Sequence, residues 1–329
     1  MSAKFKLLAE NDPIRPNEKQ EFIDDVRFGL SKANKTINSK YFYDEKGSDL
    51  FNKITHNPDY YLTDCELEIL DSYKKDLAYF FKNEEVNLIE LGPGEGIKTR
   101  LLIDYFMNKN FSFSYYSIDI SKKYLSQIVD KFNKELPTLE TIALNSDYIK
   151  GVKWLSGHSK KRNFLLFLGS SIGNFTLVDT KKFLNMLHSF LHPGDYLLIG
   201  FDLLKDINIL LQAYNDRDGL TREFNLNILK RMNKELGAKF TLNSFYHYGT
   251  YNIYSKAMES YLVSSKEQIV YIEALKKSYN FKEFEAIHVE SSQKYSLSDV
   301  NHLASSSGFK IIHNFVDKKN YFLDSLWQV

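Results

Sequence analysis

The sequence predicts an α/β protein: a mostly parallel, doubly wound sheet closed by an antiparallel hairpin, with a second, discontinuous α+β domain. Three observations predict it. Short apolar runs alternate with helical patterns between residues 86 and 201, as parallel strands and their crossover helices do. The last two strand candidates, Phe309 to Val316 and Tyr321 to Val329, are separated only by Asp317-Lys318-Lys319-Asn320, which is too short for a parallel crossover. The stretches before Val86 and between about Leu204 and Tyr295 break the alternation, so they belong to a separate domain built from two segments.

Pro16 to Ala33 carries Phe22, Val26 and Leu30 at helical spacing. Lys40 to Tyr61 is dense in aromatics, Asp, Asn and Gly, the composition of short elements and ordered loops. Thr63 with Glu66 three positions on reads as a capping box opening a helix with Leu67, Leu70 and Leu77. Val86 to Leu91 is a buried strand running into a glycine loop, followed by a helix with Leu101, Leu102, Tyr105 and Phe106. Phe113 to Ile120 is the next strand. Phe164 to Leu168 and Tyr196 to Phe201 are continuous apolar runs of the kind covered on both faces, with a helix from Thr180 to Leu191 between them. Asp206 to Leu236 is helical, and Phe240 to Ser264 is strand-rich, with Tyr246, Tyr248, Tyr251 and Tyr254.

Composition excludes several classes of function. With 329 residues the chain can bury a sizeable core. Its net charge of +1 lacks the basic excess that a nucleic-acid partner demands. No apolar run approaches the roughly 20 residues needed to span a bilayer, and Met1 to Asn11 has no signal-like apolar core. Cys65 is the only cysteine, so disulfides and cysteine-based metal sites are out. A monomeric cytoplasmic protein acting on a small molecule is expected, with no nucleic acid, membrane or metal involved.

The chemistry centres on Glu90-Leu91-Gly92-Pro93-Gly94-Glu95-Gly96. Glycines are needed there because the chain turns sharply between strand and helix, and the backbone must approach a ligand without a Cβ in the way. Asp119 ends the next strand, 27 residues after Gly92, where a carboxylate can accept both hydroxyls of an adenosine ribose. Its structural alternative is a turn aspartate leading into the helix after Ser121. Asp147 and Tyr148 follow a further strand, placed to hold the adenine amino group and stack on its ring. Lys98 can neutralise a cofactor carboxylate, or be a solvated helix lysine. The spacing G-x-G-x-G, rather than the G-x-G-x-x-G of dinucleotide sites, and the terminal hairpin together favour S-adenosylmethionine. The fold expectation therefore becomes a Rossmann-like class I methyltransferase sheet. Residues 67–203 and 295–329 would form its cofactor domain, and residues 13–66 and 204–294 a substrate-binding domain. A nicotinamide-dependent oxidoreductase and a noncatalytic nucleotide-binding protein are the alternatives of another class.

Two motifs point elsewhere and fail. Asn57-Pro58-Asp59-Tyr60 is like the Asn-Pro-Pro-Tyr box of amino-methylating DNA enzymes, but it follows a helical Leu50 to Thr55 and carries Asp in third place. His188 and His192 are spaced to share a helix face, yet no acid or third ligand accompanies them.

Several segments together resemble the L-histidine Nα-methyltransferases of ergothioneine biosynthesis. They are Lys40 to Phe51, Pro58 to Thr63, the glycine loop through Lys98-Thr99-Arg100, Phe167 to Phe175, Gly200 to Asp206, Ala213 to Asp216, Phe224 to Asn227 and Glu290 to Tyr295, in the family's order. The resemblance implies trimethylation of histidine to hercynine. It implies that Asn174 and Tyr214 hold the substrate carboxylate, with Tyr60 a further contact and Tyr43 the group near the amine. Glu290 and Ser292 match the pair that hydrogen-bonds the imidazole. Gly92, Gly94, Lys98, Asp119, Asp147 and Tyr148 match the cofactor site. Two departures stand out: Pro93-Gly94-Glu95-Gly96 replaces a serine-rich loop, and Ser260 replaces a methionine lining the imidazole pocket. The second leaves another acceptor, such as tryptophan, as an alternative.

Overall fold

The computed structural model describes residues 4–7, 18–80 and 84–329. In chain order the elements are β1 (Lys4–Leu7), α1 (Glu18–Leu30), β2 (Lys35–Thr36), α2 (Glu45–Thr55), α3 (Tyr61–Tyr79), β3 (Val86–Leu91), α4 (Ile97–Asn108), β4 (Phe113–Asp119), α5 (Lys122–Glu135), β5 (Glu140–Asn145), α6 (Tyr148–His158), β6 (Arg162–Phe167), α7 (Leu177–Phe190) and β7 (Tyr196–Asp202). They continue with α8 (Ile207–Tyr214), α9 (Leu220–Leu236), β8 (Phe245–Asn252), β9 (Ala257–Ser264), β10 (Gln268–Ile272), β11 (Lys277–Phe281), β12 (Ala286–Gln293), α10 (Leu297–Ser306), β13 (Lys310–Val316) and β14 (Phe322–Gln328). The chain divides into two compact units. One combines β1 with Leu62–Leu204 and Lys294–Val329; the other combines α1 through Tyr61 with Lys205–Gln293. Pro16 and Asn17 of the expected first helix, and the expected domain start at residue 13, lie outside the described residues.

The first unit is built on a sheet in the order β1-β5-β4-β3-β6-β7-β14-β13. Its strands run parallel except β14, which is antiparallel to both β7 and β13. This is the class I methyltransferase arrangement, with the hairpin inserted beside β7. Every residue of β3 and of β7 is buried, which explains their continuous apolar runs. From β3 the chain steps outward to β4 and β5, then returns to add β6 on the other side of β3. The loops at the carboxyl ends of these strands therefore gather around the switch point, where open α/β sheets bind ligands.

Side-chain caps fix where several crossover helices start. Ser121 caps α5, Asp147 caps α6, Thr176 caps α7, and Ser296 forms a reciprocal capping box with Asp299 at α10. The expected box at Thr63 does not form: α3 already begins at Tyr61, so Thr63 lies in its first turn and Glu66 inside the helix. The expected division after residue 66 likewise cuts a helix whose body belongs to the sheet unit from Leu62 onward. The chain leaves this unit at Leu204 and returns at Lys294, and the two ends lie side by side. Tyr295 N–H donates to the Asp202 carbonyl and Leu204 N–H to the Tyr295 carbonyl, each at 2.9 Å. A buried Lys294–Asp202 ion pair at 2.7 Å crosses the same point.

The second unit carries a sheet in the order β2-β12-β9-β8 and a separate hairpin of β10 and β11. Phe22, Val26 and Leu30 of α1 are buried as their spacing predicts, in one core with Phe224, Ile228 and Met232 of α9 and Leu262, Ile287 and Val289 of the sheet. A smaller cluster joins Leu210, Ala213 and Tyr214 of α8 to Met258 of β9, with Tyr60 packed against it.

Candidate active site

In the sheet unit, the residues expected at a nucleotide cofactor all lie at carboxyl ends of strands. Gly92, Gly94 and Gly96 follow β3 and have φ of 71°, 54° and 68°, a left-handed conformation that L side chains rarely adopt. A Cβ on Gly92 would come 2.6 Å from the Tyr148 hydroxyl, whereas one on Gly94 would meet nothing within 4 Å. The loop thus closes on protein at Gly92 and leaves open space at Gly94, as a backbone cradle for a ligand requires.

Asp119, at the end of β4, accepts a hydrogen bond from the Ser121 N–H at 2.7 Å. Desolvation pushes its carboxyl up to about 6 against the opposing pull of the Ser121 and Ile120 N–H groups. The turn reading of this residue holds, since it shapes the entry into α5. Tyr148 packs edge-on against Phe167 and Phe183, and burial raises its hydroxyl further above the ordinary tyrosine range. Asp147 caps α6, accepting the Lys150 N–H at 2.9 Å, while its other oxygen pairs with the Lys150 ammonium at 3.4 Å and the side chain is 48 % exposed.

Lys98 is not a solvated helix lysine. Its ammonium pairs with Glu66, whose side chain is completely buried in α3. Both Glu66 oxygens also accept the Gly169 N–H, at 2.8 and 2.9 Å. Gly169 and Ser170, just after β6, have φ of 76° and 55°, and the Ser170 hydroxyl accepts the Asp202 N–H at 3.1 Å. Asn174 follows on a short 3-10 turn from Ser171 to Asn174 and is exposed. Two further acids, Glu90 and Asp324, are buried in the sheet. Glu90 of β3 takes the Tyr115 hydroxyl, and desolvation raises its carboxyl despite that bond and the charge of Lys98. Asp324 of β14 is raised well above the carboxylate range, first by desolvation and then by the charge of Glu66. The available signal was a Glu and an Asp inside otherwise apolar strand runs, positions where charge is rare unless paired.

Of the residues expected at an amino-acid acceptor, Tyr43, Tyr60, Tyr214, Ser260, Glu290 and Ser292 belong to the second unit, whereas Asn174 belongs to the sheet unit. The Tyr214 hydroxyl donates to Ser292 Oγ at 2.7 Å. Ser260 and Glu290 are register partners on β9 and β12, and the Ser260 hydroxyl donates to Glu290 Oε2 at 3.3 Å. Met258 is the register partner of Ser292 on the same pair of strands. Tyr43, Phe51, Tyr60 and Tyr214 form a chain of aromatic rings with centroids 5.6, 6.3 and 6.5 Å apart. Hydroxyls, one carboxylate and an aromatic wall suit a small zwitterion with a polar ring.

The remaining motifs have structural roles. In the Asn57–Tyr60 stretch, Asn57 Oδ1 accepts the Asp59 N–H and Asn57 Nδ2 donates to Asp218. Asp59 accepts two guanidinium bonds from Arg217, which hold its carboxyl down at about 2. His188 and His192 do not share a helix face, because α7 ends at Phe190. Among the described residues no cluster of three or more His, Cys, Asp or Glu is arranged to hold a metal ion. No helix among them is long and apolar enough to cross a membrane.

A family model described as "Histidine-specific methyltransferase, SAM-dependent" matches residues 22–329. Histidine N-alpha-methyltransferase of Mycolicibacterium smegmatis is 34% identical over 298 residues, covering 91% of this chain and 92% of that protein. The protein of the same name from Mycobacterium tuberculosis is 33% identical over the same shares. Ergothioneine biosynthesis protein 1 of Neurospora crassa is 30% identical over 86% of this chain, but the match takes in only 32% of that longer protein.

Proposed function

The chain belongs to the histidine-specific, S-adenosylmethionine-dependent methyltransferases, and we propose that it methylates the α-amino group of L-histidine three times, giving hercynine. What supports the acceptor is the polar set on β9, β12 and α8, in which Ser260 fixes Glu290 and Tyr214 fixes Ser292. Glu290 and Ser292 are assigned to the imidazole, where a carboxylate and a hydroxyl pair with its two nitrogens and select against isosteres lacking them. Following the family resemblance, Asn174 and Tyr214 are assigned to the carboxylate and Tyr60 to a further contact. Tyr43 is assigned to the amine, accepting one N–H so that the lone pair stays directed at the methyl donor.

S-adenosylmethionine supplies an activated methyl on a sulfonium. The protein's task is then to hold a neutral amine in line with the S–CH₃ bond, since positioning accounts for most of the acceleration available to such a transfer. Each of the first two transfers leaves a proton on nitrogen that must depart before the next. Tyrosines and Asn174 bind the zwitterion without adding a cation that would repel the sulfonium. Gly92, Gly94, Lys98, Asp119, Asp147 and Tyr148 are assigned to the cofactor. The reaction is placed in the cytoplasm, with a monomer acting on a free amino acid.

The test is direct. Purified protein is incubated with S-adenosylmethionine and single amino acids, tryptophan included, and the products are weighed. Histidine should gain one, two and three methyl groups; histidine left unmethylated would sink the proposal.

A further inference from the structure

Two carboxyl groups meet inside the sheet unit where only one lysine is available to them. Asp324 of β14 is the register partner of Gly200 in β7. Glu66 reaches from α3 onto that same position: a Cβ on Gly200 would stand 2.3 Å from Glu66 Oε1. Glu66 and Asp324 are both completely buried. Neither Asp324 oxygen has a conventional donor, and the neighbouring Glu66 charge raises its carboxyl further after desolvation. A carboxyl–carboxylate contact is a hydrogen bond only when a proton lies between the two groups. The other charged groups near them are Lys98, which pairs with Glu66, and Glu90, which is bonded to Tyr115. One ammonium offsets one negative charge, so a second bare carboxylate here would be a buried, uncompensated ion, which a low-dielectric interior strongly disfavours.

We infer that Glu66 is a positioning residue for the amino-acid end of the cofactor: sharing one proton with Asp324, it holds the Lys98 ammonium and the Gly169 amide in the places from which they serve that end. The inference rests on the reading of Lys98 and the glycine loop as cofactor contacts. It follows because Glu66 spans both elements, with Lys98 in the first turn of α4 and Gly169 at the left-handed turn after β6. Lys98 Nζ would lie only 3.5 Å from a Cβ on Gly169, so one carboxylate fixes the side chain and the turn together. The shared proton leaves the Glu66–Asp324 pair a single net negative charge for Lys98 and keeps that ammonium from being over-neutralised when a ligand carboxylate arrives.

The experiment compares two ligands by calorimetry. S-adenosylhomocysteine carries the amino-acid end, and 5′-methylthioadenosine lacks it. Glu66→Gln should weaken S-adenosylhomocysteine about tenfold or more, the scale of a lost charge-assisted contact, while leaving methylthioadenosine within about twofold. Equal weakening of both ligands, or of neither, would overturn the inference. If the Gln variant does not fold, Glu66→Asp, which draws the carboxylate back by one methylene, is read by the same comparison. Asp324→Asn returns an N–H donor to Glu66 and should bind S-adenosylhomocysteine more tightly than Asp324→Leu; the reverse order would refute the shared proton. In the infrared, wild-type protein minus Asp324→Asn should show a protonated-carboxyl stretch, and its absence would refute it too. Wild-type protein that binds neither ligand would overturn the cofactor reading and this inference with it.

Discussion

With Asp119 assigned to the cofactor ribose as proposed, its carboxyl should make cofactor affinity a function of pH. Burial raises it from the ordinary 3.8 to about 6, and its hydrogen bonds from the Ser121 and Ile120 N–H groups only partly oppose that shift. On that assignment an ionised Asp119 would accept ribose hydroxyls, whereas the protonated form has surrendered one oxygen to its own proton. At pH 8 nearly every molecule carries the acceptor, and at pH 5 roughly one in eleven does. S-adenosylhomocysteine should therefore bind roughly tenfold more weakly at pH 5 than at pH 8, with the bend near pH 6. Titration calorimetry across that range reads it directly, and Asp119→Asn should bind weakly with a flat profile. The sign for stability is opposite to that of a salt-bridged acid. Between about pH 4 and 6 the unfolded chain has released this proton and the folded chain keeps it, so stability from this group falls as pH rises through that window. A flat wild-type profile, or a variant that keeps the wild-type bend, would refute the assignment of Asp119 to the ribose.

Three substitutions test the rest. Glu290→Ala should raise the KM for histidine by roughly tenfold or more, the scale of a lost hydrogen bond to a charged group. It should leave S-adenosylhomocysteine affinity unchanged in calorimetry; equal losses would contradict its role. Tyr214→Phe deletes the donor to Ser292 and should cost about 1 kcal/mol of stability in denaturant unfolding, with a higher KM for histidine and an unaltered KM for the cofactor. Gly200→Ala forces a methyl against Glu66 and should destabilise by about 1–3 kcal/mol through overpacking, visible as a lower Tm.

The cofactor half of the molecule was legible because its signals are local. The apolar run Val86–Leu91, the left-handed glycines and the close-set terminal hairpin each act within a few residues. Glu66 was misread for the opposite reason. Its spacing from Thr63 mimics a capping box, but its partners Lys98, Gly169 and Asp324 stand 32, 103 and 258 positions away. The hairpin of β10 and β11 escaped because each strand is only five residues long and β10 turns Ile269 and Tyr271 to solvent, so only Val270, Ile272, Tyr279 and Phe281 are buried. The partnership of Ser260 with Glu290 is a matter of strand register, fixed 30 residues apart by the pairing of β9 with β12. Without the family resemblance Glu290 would have passed for a surface carboxylate on a strand.

The side-by-side exit and return at Leu204 and Tyr295 also bear on how the chain folds. Their backbone bonds and the Lys294–Asp202 pair belong wholly to the sheet unit, so residues 205–293 close as a loop whose ends that unit holds together. Closing a loop of this length has an entropic cost that grows only with the logarithm of its length. Insertions and deletions within it should therefore disturb the sheet little. The arrangement makes the inserted segment a variable module and the sheet its fixed chassis. On the proposed assignments Tyr214, Ser260, Glu290 and Ser292 all lie in that module, so changes there would alter acceptor preference and leave Gly92, Lys98 and Asp119 of the sheet unit in place.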